Sequence, residues 1–171
     1  MTPDYDRIVT HLKNDHAELL NWTLALDCYI LKIFPVKSTP LIWVIGGEEK
    51  VFLVNAAKST VVQTFDSLGD IIFAAVLNAN TGNVLVASST GVYQLSQSGE
   101  KTILLKEESW FEHIALSTDG LILFIACGKT LYIFLKKKNN YQLFSKDDSF
   151  TSTISDILFN HDAFLVSNYG G

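Results

Sequence analysis

The residue types best suited to chemistry in this chain are four histidines, two cysteines and a pair of acidic doublets, and their spacing argues against a metal centre. His11, His16, His113 and His161 are scattered. His11 and His16 stand five apart, which is not the i, i+4 pairing that aims two imidazoles at one ion. Neither Cys28 nor Cys127 has a companion two to four residues away. Glu107-Glu108 and Asp147-Asp148 fall between strands, where solvation explains them, and a calcium loop would need further oxygen ligands at alternating positions. A Gly-x-Ser-x-Gly elbow is missing, and both cysteines lie in apolar segments that raise a thiol pKa. Gly46-Gly47-Glu48-Glu49-Lys50 lacks the Gly-Lys-Ser/Thr ending of a phosphate loop. The expectation is a non-enzymatic protein without metal or cofactor.

Contact chemistry is the alternative. The formal net charge is −5, so the chain lacks the basic footprint of a general nucleic-acid binder. Its one cationic run is Lys136-Lys137-Lys138, followed by Asn139-Asn140. A solvated hairpin tip accounts for it, and a contact with phosphate or an acidic partner is the competing reading. Of three tryptophans, Trp43 sits within Ile42-Trp43-Val44 and is expected in the core. Trp110 could plug a junction between repeats or stand exposed as a binding anchor. Trp110, Lys136, Lys137 and Lys138 are therefore the candidate partner contacts.

The elements that must position these groups change character near Trp22. Over residues 1–22, Thr2 can cap, Pro3 suits the first helical position, and Asp4 and Asp6 oppose the positive end of the dipole. Ile8, Val9, Leu12, Leu19 and Leu20 then recur on one face, which predicts an N-terminal α-helix over about 3–21. It would pack on the rest of the chain or dock on a partner. The start is acidic where a secretory signal would be basic and then apolar, and no apolar run reaches the 18 residues of a membrane span. Two cysteines make no disulfide framework; both read as buried free thiols, and an intracellular location, cytoplasmic or nuclear, is expected.

From residue 23 to 171 the pattern is strand-like and repeats. Phe52, Tyr93 and Tyr132, each after an aliphatic residue, lie about 40 residues apart, the period of a four-stranded β-propeller blade. The predicted blades cover about 26–66, 70–106, 110–145 and an incomplete 154–171. The first holds Leu26–Phe34, Leu41–Ile45, Lys50–Asn55 and Val61–Phe65. The second holds Ile71–Leu77, Val84–Ser88, Val92–Leu95 and Thr102–Leu105. The third holds Phe111–Leu116, Leu121–Ala126, Leu131–Leu135 and Tyr141–Phe144. Only Ser155–Phe159 and Ala163–Ser167 belong to the fourth. Asp119-Gly120 and Thr90-Gly91 punctuate the runs with residues that accept positive φ, so adjacent strands can pair as tight hairpins.

The run Ile114 to Phe124, with its Ser117-x-Asp119-Gly120 turn, resembles the first hairpin of WD-repeat and related propeller blades. The resemblance spans roughly Leu26 to Gly171 as architecture. The Gly-His and Trp-Asp dipeptides of that family are absent from every copy, so the blades are WD-like and degenerate. The fold class expected is mainly β, a partial β-propeller preceded by a helix. Propellers close with four to eight blades, so three and a half blades imply a piece of a longer propeller, a ring completed by another copy or subunit, or strands closed as a small barrel or sandwich. Strand-end groups Asp27, Asp70, His113 and Asp156 could converge near an axis, although bonding to neighbouring backbone is the favoured reading of them. The leading expectation is a protein–protein interaction or scaffold module in a larger propeller-containing assembly. The alternative is a propeller enzyme or a small-ligand or sugar binder completed by oligomerisation, although no polar residue repeats at matched positions. Expected partners are other protein subunits or the rest of the propeller.

Overall fold

The structure, a computed structural model, describes residues 24–160 and 163–170. The helix expected over 3–21, with Trp22, His11 and His16, lies outside the described residues, as does His161. Among the described residues every regular element is a strand. No helix there is long and apolar enough to cross a membrane, which says nothing of spans made by strands.

Three four-stranded antiparallel sheets and one two-stranded sheet follow each other along the chain. The first contains β1 (Ile30–Pro35), β2 (Leu41–Gly46), β3 (Val51–Asn55) and β4 (Thr60–Phe65). The second contains β5 (Ile72–Leu77), β6 (Val84–Ser88), β7 (Gly91–Leu95) and β8 (Lys101–Lys106). β9 (His113–Leu116), β10 (Ile122–Cys127), β11 (Thr130–Lys137) and β12 (Asn140–Asp147) form the third. β13 (Ile154–Asn160) and β14 (Ala163–Asn168) form the fourth. Each sheet is an up-and-down meander in chain order, as short glycine-punctuated strands favour. β9 lies against β5 on one side and β13 on the other, so the first strands of successive sheets are neighbours. The result is a propeller-like arrangement in which separate sheets are stacked face to face, and not a barrel or sandwich.

Alternation along each strand decides which face meets which sheet. Trp43, Ile45, Val51 and Leu53 pack against Ile72, Val84, Val86 and Tyr93 between the first and second sheets. Leu85, Ala87 and Val92 pack against Phe111, Leu123, Ile125, Tyr132 and Phe134 between the second and third. Ala115, Phe124, Ala126 and Leu131 pack against Ile154 and Ile157, with Phe159, Phe164 and Val166 alongside. Phe124 and Phe164 stack there with ring centroids 3.4 Å apart. Trp43 is fully buried, and its indole Nε1 donates to the Gly82 carbonyl at 2.8 Å, so this large side chain is packed without an orphaned N–H.

The repeat of about 40 residues thus marks a structural position. Phe52, Tyr93 and Tyr132 all stand in the third strand of their sheet. Tyr93 and Tyr132 face the preceding sheet, while Val51, Val92 and Leu131 face the following one. Phe52 points to the side where no sheet precedes it, onto Val44, Val54, Leu24 and Leu26.

Two of the strand boundaries that differ from expectation have a clear physical reason. The first strand begins at Ile30 and not Leu26, because Leu24, Leu26 and Cys28 lie over Val44 and Phe52 as a cover on the sheet face. It runs on to Pro35, which an edge strand tolerates because one side of it needs no N–H donor. The hairpin of the third sheet is longer than its apolar runs. Lys138 adopts φ 58°, which closes a tight turn and lets the ladder extend to the Lys137–Asn140 pair.

Candidate functional site

The Ser117–Gly120 turn is the sequence signal closest to the WD-like pattern, and its geometry is locally determined. Gly120 has φ 71°, and its N–H donates to the Ser117 carbonyl at 2.8 Å. The Ser117 hydroxyl donates to Asp119 Oδ1 at 2.5 Å and accepts from the Ile122 N–H at 2.8 Å. Asp119 Oδ1 also accepts the Leu121 N–H at 2.9 Å. The Ser117 hydroxyl first, then the Leu121 N–H, hold the Asp119 carboxyl below the usual carboxylate range. The turn is a structural clasp in which the Ser117 hydroxyl and Asp119 Oδ1 are both engaged.

Next to it lies a buried polar contact that the sequence did not reveal. Tyr141 Oη donates to the Gly120 carbonyl at 2.7 Å and accepts from Asn78 Nδ2 at 2.9 Å. Asn78 is buried, and its Oδ1 accepts from the Asn80 and Thr81 N–H groups. Burial raises the Tyr141 phenol pKa, opposed by the Asn78 hydrogen bond. A matching offset of Asn78 and Ser117 within their repeats is the one trace of this pair in the chain. In the same core cluster, Tyr132 is pushed up to about 12, by burial first and then by the negative Glu107, which accepts a hydrogen bond from its hydroxyl. Both phenols serve as neutral hydrogen bonders at ordinary pH.

The strand-end groups are not gathered as metal ligands: among the described residues no cluster of three or more His, Cys, Asp or Glu is placed to hold a metal ion. Asp156 Oδ1 accepts from the Ile157 N–H, as strand-end polar groups do. The thiols are free and half-buried, not fully buried as expected. Burial, then Glu48 and Asp27, raise the Cys28 pKa, which leaves it a poor nucleophile. Cys127 Sγ lies 2.8 Å from the Ser109 hydroxyl.

The candidate contact residues lie on the surface. Trp110 is 67% exposed and does not plug a sheet interface; its ring lies over Phe73 of β5 with centroids 6.0 Å apart. Lys136, Lys137 and Lys138 line a cleft between the second and third sheets. Trp110 and the lysines belong to opposite ends of the third sheet's strand pattern, at the entry to β9 and at the β11–β12 turn.

Two end faces stand out more than either. On the fourth sheet Leu158 and Leu165, paired across β13 and β14, are each 56% exposed. On the first sheet Ile30 and Ile33 are 50% and 55% exposed. They rim an apolar groove of about 230 Å³ floored by Ile42, Val44 and Val54. Sequence reasoning missed these residues because their alternation is the same as that of the buried strands.

No protein-family model matches this chain, and no curated protein does either. Many solved structures share its fold. One is the computationally designed Ika4 protein, with a TM-score of 0.70 and 13% identity over 87% of this chain and 91% of that chain. At that identity the likeness shows the fold alone.

Proposed function

We propose that this protein is a non-enzymatic protein–protein interaction or scaffold module that forms part of a larger propeller assembly. One observation carries the reading. Leu165 occupies in β14 the position that Trp43, Leu85 and Phe124 occupy in the second strands of the other sheets. Those three are buried against a following sheet, whereas Leu165 is 56% exposed. A second copy or another subunit that lays a blade on this face would bury it as the inner faces are buried. Beside it, β14 pairs only with β13 among the described residues, so its outer edge can accept a partner's strand by backbone hydrogen bonding.

The Ser117–Gly120 clasp supports a WD-like ancestry for the blades, and the two half-buried free thiols suit a reducing intracellular compartment, the cytoplasm included. Trp110 adds an exposed aromatic of the kind that anchors partners.

Light scattering after size exclusion tests the proposal directly. The wild-type chain should associate, and Leu158→Lys/Leu165→Lys should convert it to a monomer with little change in melting temperature. A monomeric wild type whose β14 amides exchange as slowly as those of β10 would show the end face to be self-sufficient and refute the reading.

A further inference from the structure

Away from both end faces, a cleft of about 540 Å³ opens between the second and third sheets, within the size range of ligand sites. Lys136, Lys137 and Lys138 form one wall, and Asn83, Ser96 and Thr102 stand among the residues opposite. The lysines are carried on a hairpin that is held in place. Its ladder continues to the Lys137–Asn140 pair, and Gln94 Nε2 of β7 donates to the Asn139 carbonyl at 3.3 Å across the gap between sheets. Lys136 Nζ is 6.0 Å from the centroid of the Tyr141 ring, itself buried. Fixing the hairpin beforehand lowers the ordering cost of binding.

Among the described residues the ion pair that forms is Lys146–Asp148, and no carboxylate lies within 4.0 Å of the three hairpin ammoniums. In a chain of formal net charge −5, three adjacent cations with no carboxylate partner among the described residues, beside hydroxyl and amide groups, make a local site for negative charge. Lysine ammoniums donate to carboxylate or phosphate oxygens, acting as point charges toward either. The lining has no aromatic ring on which a base could stack, which disfavours a nucleic acid. Glu100 is the single carboxylate on the cleft wall, and it weakens the attraction for an anion from its side.

We infer that this cleft binds a short anionic segment of a partner protein, with its carboxylate or phosphate groups on Lys136, Lys137 and Lys138. The inference stands apart from the end-face reading, since the cleft is complete within one chain.

Fluorescence anisotropy with three labelled peptides tests it: one rich in Asp and Glu, one with phosphoserine at the same positions, and a Ser/Gln control. At least one anionic peptide should bind and the control should not. Binding of the phosphopeptide alone identifies phosphate as the anion, and binding of both identifies a carboxylate-tolerant cleft. Lys137→Glu/Lys138→Glu should weaken binding by at least about tenfold, because it reverses two charges at the contact, while the melting temperature stays unchanged. Glu100→Gln should tighten it. Binding that is insensitive to both variants, equal binding of the control, or no binding by either anionic peptide would overturn the inference. So would lysine-dependent binding of a single-stranded oligonucleotide in preference to both peptides.

Discussion

The apolar core between the second and third sheets and the outer face of the fourth are built from equivalent positions of one repeat, yet the first is sealed beneath its flanking cleft and the second lies bare. In the seam, Leu85 is fully buried against the third sheet, and the Asn78–Tyr141 bond ties the two sheets at the adjoining turns. On the outer face, Leu165 stands at the matching position of a two-stranded sheet and remains more than half exposed. The sequence pattern of a strand therefore fixes which side chains can be buried, and the presence of a neighbour decides whether they are.

Paired truncations should expose that difference most strongly. Leu85→Ala is expected to destabilise the fold by about 2–5 kcal/mol, the range for opening a cavity in a packed core. Leu165→Ala, with identical chemistry, should cost no more than about 0.5 kcal/mol in the isolated chain, as an exposed substitution does. Equal losses in chemical denaturation would mean that the outer face is covered within the chain.

A smaller effect is expected at the turn that joins the sealed seam. Gly120→Val places a β-branched side chain at φ 71°, with its Cβ 2.9 Å from Asn78 Nδ2. The strain and the loss of the Asn78 contact together should cost about 1–3 kcal/mol, visible as a lowered melting temperature.

The smallest effect is a pH dependence. The folded-state pKa of Asp119 lies below its unfolded value, so the unfolded chain takes up protons first as acid is added. The contribution to stability is complete above about pH 4, the unfolded carboxylate value, and is lost as pH falls through the folded one. Ser117→Ala removes the main cause of the shift. Thermal melts of that variant should therefore show a shallower decline below about pH 4 than the wild type, and an unchanged slope would remove Asp119 from the account.

Much of the architecture was legible because its causes are local. Strands β6 and β7 lie almost where alternation and Thr90-Gly91 place them, and Gly120 takes the positive φ that an Asp-Gly turn needs. The candidate sites were less legible. Lys136, Lys137 and Lys138 are conspicuous in the sequence, but the cleft beside them is made by Gln94 and Asn139, 45 residues apart. Trp110 fits a junction between repeats better than a surface on its sequence, yet its ring lies exposed over Phe73.

The amino-acid order alone determined the strands, their turns and the repeat that stacks one sheet on the next, since hydrogen-bonded hairpins and side-chain alternation depend on residues a few places apart. The tertiary structure decided which apolar faces are shut, which lysines border a cleft, and that a tyrosine phenol meets an asparagine 63 residues away. Those outcomes depend on the packing of whole sheets against one another, and the free energy of burying a surface is not defined until its neighbour is in place.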